Sequence, residues 1–301
     1  MVWFILVAPC ADIHAQSVAP THEPRNAEEA RLQERFGGKV KPEMYQKWQQ
    51  HMQSRAPAEQ DWLRTLESQL GNFYFPAYLD TLFDPKYDPE GDAWAYVKDE
   101  PKLPRVLIIG DSISRAYTAT VRKALKGIAN VHRAPANCGP TEKFLRDGEV
   151  WLNQNGRNQW DVVIVNFGIH DAKNPTSYEA NLRKVLARLK KSEARIFWVR
   201  TTPWGKDATV FATDTPRDAS ELTNPLSDRV VKEFGVDVID AHALMLPMVP
   251  AHLNRKDFTH WDAPAYEKLG TTVAETVKNK IFPKRYAAIL FVRIKCNNSP
   301  V

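Results

Sequence analysis

Apolar and polar positions follow two different patterns along the chain, and the pattern changes near residue 104. Between residues 105 and 282, short apolar runs alternate with longer stretches in which apolar residues recur every three or four positions. The apolar runs predict strands at Val106–Ile109, Ala129–Arg133, Val162–Asn166, Arg195–Arg200 and Val236–Ile239. The amphipathic stretches predict helices at Ser114–Lys126, Tyr178–Lys191, Asp218–Phe234 and Ala263–Asn279.

Strands that alternate with helices form parallel β-α-β units. Runs such as Val162–Val165, apolar at every position, suit strands that helices cover on both faces. We therefore predict a three-layer α/β/α sandwich over residues 104–282, with its functional residues at the carboxyl ends of the strands.

The preceding segment, residues 16–103, is organised differently. Residues 16–28 are polar and predict a flexible leader, whereas helical spacing between residues 27 and 83 predicts a helical hairpin that divides at Pro57. Its aromatic residues, among them Trp48 and Trp62, are interpreted as core rather than as a ligand platform. Residues 84–104 are rich in Asp, Pro and Gly, which predicts a connecting loop.

Both ends of the chain carry short apolar runs. Val2–Ala8, within residues 1–15, is typical of the apolar core of a signal peptide, so we expect export to the periplasm or the extracellular space. A disordered N-terminus is the alternative interpretation. The tail at residues 283–301 is apolar but too short to span a bilayer, and we expect no stable membrane association.

The net charge and the cysteine content limit the classes of partner and the metal sites that we expect for this chain. The net charge is +5, from 41 basic and 36 acidic residues among 301, and no Lys/Arg run resembles a nucleic-acid-binding arm. The three cysteines form no pair or Cys/His cluster with zinc spacing, which leaves only a Cys138–Cys296 disulfide open. We expect neither a nucleic-acid partner nor a metal.

The first candidate for chemistry is Ser112, which follows the first predicted strand in the run Gly110-Asp111-Ser112. A serine on a turn between strand and helix presents its hydroxyl at the sheet edge, beside the backbone amides of the helix N-terminus. The alternative is that Ser112 or Ser114 only caps the helix.

The second candidate is the pair Asp257 and His260, in a predicted loop before a helix that Asp262 caps. A spacing of three residues lets the carboxylate reach Nδ1 of the histidine, which leaves Nε2 to take a proton from Ser112. The alternative is an ordinary surface pair.

Two further segments end neighbouring predicted strands. Gly139 can offer an unobstructed N–H, and the run Asn166–Asp171 places polar donors at the sheet edge. Each segment has a plain structural alternative, a loop glycine or a turn in which Asp171 caps a helix. Arg115 either meets an anionic group on a substrate or serves as an ordinary surface residue. Trp204 and Trp261 either stack on a sugar or pack in the core.

In combination, these segments resemble the SGNH, or GDSL, hydrolase superfamily over residues 104–281. The resemblance implies a flavodoxin-like, five-stranded parallel sheet and a serine ester hydrolase that needs no cofactor. It implies that Ser112 is the nucleophile, His260 the general base and Asp257 the acid that orients it. It also implies an oxyanion hole that contains the N–H groups of Ser112 and Gly139.

The third motif of the superfamily departs from its usual form. The run Gly168-Ile169-His170-Asp171 places a histidine where the family has an asparagine. The resemblance implies that His170 supplies the third oxyanion donor, with Asn166 as the alternative. A histidine there would titrate, as an amide does not.

The Gly-Ile-His-Asp form is similar to a bacterial subgroup found among polysaccharide-degrading enzymes. The substrate expected from that likeness is an acetylated poly- or oligosaccharide, and the expected activity is carbohydrate O-acetylesterase. A lipase- or thioesterase-like hydrolase of the same fold is the first alternative. A non-catalytic carbohydrate-binding protein is the second.

Overall fold

The structure is a computed structural model that describes residues 26–154 and 156–281. The expected signal peptide, nearly all of the leader, the tail after residue 282, and Cys10 and Cys296 lie outside the described residues. Cys138 is buried and forms no disulfide with a described residue. Across the described ranges, every helix falls short of the length or apolar character that a bilayer crossing needs.

A five-stranded sheet forms the centre of the molecule. All four strand pairings are parallel, and the strand order is β2-β1-β3-β4-β5. The strands are β1 (Arg105–Ile109), β2 (Asn130–Arg133), β3 (Val162–Val165), β4 (Arg195–Val199) and β5 (Asp237–Ile239). This is the flavodoxin-like order, and the predicted fold class is confirmed.

Helices cover both faces of the sheet. Within the described residues that follow β1 they are α5 (Ser112–Ala124), α6 (Thr141–Leu152), α7 (Pro175–Lys190), α8 (Asn224–Glu233), α9 (Ala241–Met245), α10 (Val249–His252) and α11 (Ala263–Ile281). Alternate residues of β1 enter different cores, as a parallel strand buried on both faces requires. Val106 and Ile108 pack in the core that contains Leu269 of α11, whereas Leu107 pairs with Leu182 of α7 in the other core.

Two helix predictions were wrong in this part of the chain. The single helix expected at Asp218–Phe234 is a 3₁₀ turn, Ala219–Leu222, followed by α8. Pro225 explains the break, because a residue before proline is disfavoured in the α conformation and Thr223 and Asn224 therefore start a new helix. Helix α6 was missed, since Gly148 interrupts its pattern; the ring of Phe144 packs where a Cβ would stand.

The region before the sheet contains four helices rather than the predicted hairpin. They are α1 (Ala27–Phe36), α2 (Pro42–Gln53), α3 (Pro57–Gln69) and α4 (Gly71–Leu82). Gly37 and Gly71 adopt positive φ where one helix ends and the next begins, and Pro42 and Pro57 are each the first residue of a helix. The backbone preferences of glycine and proline therefore set the boundaries of these helices.

These four helices enclose a core of their own. Trp48 and Phe75 are fully buried in it, whereas Phe73 is exposed, so most of the aromatic residues are core as predicted. The segment is joined to the sheet domain by polar contacts. The guanidinium of Arg122 in α5 donates to the carbonyls of Asp92 and Ala93.

Candidate active site

The site lies at the carboxyl ends of β1 and β3. In this strand order the chain leaves β1 for one side of the sheet and later continues from β3 on the other, which opens a crevice between the two ends. Ser112 is the first residue of α5. The cap of that helix is Asp111, whose side chain accepts from the amide of Ile113 at 3.0 Å, so the alternative that Ser112 or Ser114 caps it was wrong.

Three predicted residues form one chain of hydrogen bonds at this crevice. Nε2 of His260 lies 2.8 Å from Oγ of Ser112, although 148 residues separate them in sequence. Nδ1 of the same ring lies 3.0 Å from Oδ2 of Asp257. The order Ser–His–Asp is the geometry in which a histidine can take a proton from a serine hydroxyl.

The loop before α11 holds the histidine and the aspartate in this arrangement. Oδ1 of Asp257 accepts from the amides of Thr259 and His260, at 3.0 and 2.9 Å, while Phe258 between them adopts a φ of 56°. Asp262 caps α11 as predicted, accepting from the amide of Ala265 at 3.2 Å. Both sides of the histidine are therefore anchored.

The carboxyl group of Asp257 is held in its ionised form. Partial burial would raise its pKa, but amide hydrogen bonds from His260 and Thr259, and then the His260 ring, outweigh burial and lower the pKa below its ordinary value. An ionised Asp257 keeps the proton of the imidazole on Nδ1. Nε2 is then an acceptor directed at Ser112.

The backbone amides of Ser112 and Gly139 are the two candidates for the predicted oxyanion donors. Gly139 has a φ of 61°, a conformation that glycine adopts without strain. Within the described chain, neither the Gly139 amide nor the Ser112 amide donates a hydrogen bond. The glycine loop is fixed beside the serine, because the amide of Cys138 donates to the carbonyl of Gly110 at 3.2 Å.

Asp171 holds the other end of that loop. Its Oδ1 accepts from the amide and the hydroxyl of Thr141, at 2.9 and 2.6 Å, where α6 begins. Asp171 thus caps a helix, although one that lies 30 residues earlier in sequence. Burial raises the pKa of Asp171 to about 6, despite the hydrogen bonds from Thr141, because its second oxygen is buried with no partner.

The two candidates for the third oxyanion donor differ in what they already bind. The Nδ2 group of Asn166 donates to the carbonyl of Val199 at 2.7 Å and to Oγ1 of Thr201 at 3.2 Å, and its side chain is buried. An amide nitrogen has only two protons, so both are committed. His170 is half-buried, and its ring makes no hydrogen bond to any residue in the described ranges.

Sequence reasoning missed Arg133, the last residue of β2. This arginine is fully buried, and its guanidinium donates to the carbonyls of Gly110 and Asp111 at 2.9 and 2.8 Å, and to that of Ala136 at 2.6 Å. It therefore ties the turn that carries Ser112 to the loop that carries Gly139. An arginine at the end of a predicted strand was the only signal in the sequence.

The two candidate sugar-stacking tryptophans occupy different environments. Trp261 is only 5% exposed and packs in the core with Leu253 and Tyr266, so the core alternative holds for it. Trp204 is half-buried. Over the part of the chain that the structure describes, no group of three or more His, Cys, Asp or Glu residues has the arrangement of a metal site.

A parallel sheet with a serine, a histidine and an aspartate hydrogen-bonded at its crevice defines the class of an α/β serine hydrolase. The family model of the GDSL-like Lipase/Acylhydrolase family matches residues 108–268, more than half of the chain. The chain belongs to this family, and it is an SGNH/GDSL-type carboxylic ester hydrolase. The match spans Ser112, Gly139, His170, Asp257 and His260.

Solved structures resemble the chain at low identity. The acetyl xylan esterase AlAXEase is 16% identical and has a TM-score of 0.48, over 57% of this chain and 99% of that one. Axe2, an acetylxylan esterase from Geobacillus stearothermophilus, is 16% identical with a TM-score of 0.47, over 57% and 93%. A lipase/acylhydrolase from Enterococcus faecalis is 18% identical with a TM-score of 0.49, over 60% and 99%. No curated protein sequence matches the chain.

Proposed function

We propose that this esterase removes O-acetyl groups from a carbohydrate by a Ser-His-Asp acyl-enzyme mechanism. The observation that carries the mechanism is the continuous hydrogen-bond chain from Ser112 through His260 to Asp257, beside two amides without an acceptor. The acetylated carbohydrate is proposed from the Gly-Ile-His-Asp form of the third motif. We also propose export, on the basis of the apolar run at residues 2–8.

In the first half of the reaction, Oγ of Ser112 attacks the ester carbonyl while Nε2 of His260 takes its proton. Asp257 stabilises the imidazolium that results. The carbonyl oxygen becomes an oxyanion and accepts from the amides of Ser112 and Gly139 and from the ring of His170. As the bond between the carbonyl carbon and the sugar oxygen breaks, His260 gives its proton to that oxygen, the sugar leaves with a free hydroxyl, and an acetyl group remains on Ser112.

In the second half, water attacks the acetyl-serine. His260 takes a proton from the water, the same oxyanion donors stabilise the second tetrahedral intermediate, and acetate leaves as the proton returns to Ser112. Each donor in such a site contributes roughly 100- to 1,000-fold to kcat.

The test is hydrolysis of p-nitrophenyl acetate by the wild type and by Ser112→Ala. We expect the substitution to lower kcat by about 10⁴-fold or more, while Ser68→Ala on α3 serves as the matched control and keeps the wild-type rate. Equal rates for wild type and Ser112→Ala would reject the nucleophile. A wild type without esterase activity that still binds glycans would favour the carbohydrate-binding alternative.

Acyl length and substrate need two further measurements. We expect a p-nitrophenyl acetate kcat/KM above that of the octanoate ester; the reverse order would favour the lipase-like alternative. Acetate release from a panel of acetylated polysaccharides identifies the carbohydrate. Release from none of them would reject the carbohydrate proposal and leave the mechanism intact.

A further inference from the structure

Arg115 lies one helical turn after Ser112 in α5, so the two side chains share a face of that helix. Its guanidinium carbon lies over two aromatic rings, 5.5 Å from the ring centre of Tyr74 and 5.3 Å from that of Trp94. Both aromatic residues precede the sheet domain. The N-terminal region therefore holds a cation beside the nucleophile.

The guanidinium of Arg115 has no hydrogen-bond acceptor among the described residues. Among the residues that the structure describes, it makes no hydrogen bond and has no carboxylate within 4.0 Å; its Nε is buried without a partner, while its two terminal nitrogens are not in that buried set. Every other arginine in the described ranges that is partly or fully buried donates to an acceptor. Those arginines are Arg105, Arg122, Arg133, Arg183, Arg188 and Arg200.

Asp111 and Asp257, two carboxylates of this part of the structure, already bind other groups. Burial raises the pKa of Tyr266 to about 12, and its hydroxyl also experiences the charges of Asp111, Asp257 and Arg115, which places the three groups around one tyrosine. Asp111 accepts from the amide of Ile113, and Asp257 is bound to His260. The charge of Arg115 is therefore not compensated by a bound partner.

The aromatic contacts leave the donors of Arg115 available. A guanidinium that packs against aromatic rings still presents its N–H groups in its own plane, where they match a carboxylate or another planar or tetrahedral oxyanion. A buried donor without an acceptor is unfavourable, and binding of an acceptor removes that penalty. The arrangement suits ligand binding better than a purely structural contact.

We propose that Arg115 binds an anionic group, a carboxylate or a sulfate, on the substrate close to the scissile ester. This inference rests on the proposed carbohydrate esterase function and specifies its substrate as an acidic glycan. Tyr74 and Trp94 position the guanidinium, so the four N-terminal helices and the following loop complete the binding site. The net charge of +5 favours the approach of an acidic polymer.

The experiment compares kcat/KM on three acetylated oligosaccharides of equal length, one neutral, one bearing a uronate and one bearing a sulfate. We expect the wild type to prefer one of the charged substrates by about tenfold or more, the range for a hydrogen bond to a charged group. Arg115→Gln should bring that ratio close to one, mainly through KM. Arg64→Gln on α3, whose guanidinium pairs with Asp61, is the matched control and should keep the ratio.

The outcomes are separable from those for the proposed function. A ratio near one in the wild type, or a ratio that Arg115→Gln leaves unchanged, would overturn the role of Arg115 even if Ser112 is the nucleophile. Where turnover is too slow, calorimetric binding of the same three sugars to Ser112→Ala gives the same ratio without catalysis. If Arg115→Gln does not fold, the substrate preference of Arg115→Lys and the salt dependence of the wild-type preference test the proposal instead. Loss of the preference between 50 and 500 mM NaCl supports the charge contact, and a salt-independent ratio contradicts it.

Discussion

Two His–Asp pairs of the described structure have different surroundings. At the carboxyl ends, the side chains of His260 and Asp257 are 42% and 44% exposed, and the second ring nitrogen meets Ser112. In the other pair, the side chains of His132 in β2 and of Asp99 are 4% and 15% exposed, with Nε2 of the ring 2.6 Å from Oδ1 of the carboxylate. The His132 ring packs edge-on against Trp160, and no hydroxyl group in the described ranges forms a hydrogen bond with it.

The chemistry around the buried pair is that of a structural ion network. Arg105 and Arg157 also contact Asp99, at 3.0 and 3.8 Å. Burial lowers the pKa of His132; for Asp99, burial is outweighed by the hydrogen bond and charge of His132 and by the arginines, which lower its pKa as well. A His–Asp pair by itself is therefore not evidence for catalysis, whereas a nucleophile on the free nitrogen is.

The largest expected difference comes from removing each histidine. His260→Ala should lower kcat on p-nitrophenyl acetate by about 10⁴-fold or more with little change in Tm. His132→Ala should keep the activity of the folded protein but cost roughly 1–3 kcal/mol of stability, because Asp99 loses the hydrogen bond to His132 while its contact with Arg105 remains. Kinetics at 25 °C and calorimetric melting measure both. A folded His132→Ala protein without activity would contradict the comparison.

A similarly large effect is expected for the acid of the exposed pair. Asp257→Asn should lower kcat by about 10³- to 10⁴-fold, since an amide no longer selects the required tautomer of His260. Asp262→Asn is the matched control on the same loop, where it removes a charge that binds His252. We expect it to cost only about 1 kcal/mol of stability. A comparable loss of kcat in both variants would mean that loop disruption, not the tautomer, explains the effect.

A smaller effect separates the two candidates for the third oxyanion donor. His170→Ala should lower kcat by about 100-fold at unchanged stability. Asn166→Ala should lower kcat less but destabilise the protein by roughly 1–3 kcal/mol, because the acceptors at Val199 and Thr201 lose their donor. Steady-state kinetics and urea unfolding of both variants provide the comparison. The opposite order of kcat values would assign the donor to Asn166.

The smallest expected effect concerns pH and stability. Burial raises the pKa of Asp171 to about 6 in the folded protein, so its carboxyl group ionises more readily in the unfolded chain than in the folded one. The free energy of unfolding of the wild type should therefore fall as pH rises from about 4 to about 6. Above that range the loss stays constant, at no more than about 3 kcal/mol. Asp171→Asn should not show this loss. Urea unfolding from pH 4 to 8 measures it, and parallel curves for the two proteins would count against a buried, ionising Asp171.

Several features of the fold followed from local sequence. Apolar runs such as Val162–Val165 predicted strands buried on both faces, because only a parallel sheet covered by helices removes every side chain from water. The hairpin expected at residues 27–83 was wrong, since the breaks at Gly37 and Gly71 depend on single backbone conformations rather than on periodicity. The long helix expected at Asp218–Phe234 failed for a similar local reason at Pro225.

By itself, the sequence determined the parallel sheet and the three residues that meet at its edge. Strand position brings Ser112 to the carboxyl end of β1, and a spacing of three residues brings Asp257 to His260. Tertiary structure alone decided that the amide of Asn166 is occupied and that Arg133 donates to the turn that carries Ser112. It also decided that the guanidinium of Arg115 lies against Tyr74 and Trp94 with no hydrogen bond to another described residue. The physical reason is that the partners of these three side chains lie 20 to 40 positions away or more in the sequence. Periodicity and spacing report only on neighbours within one helix, strand or turn.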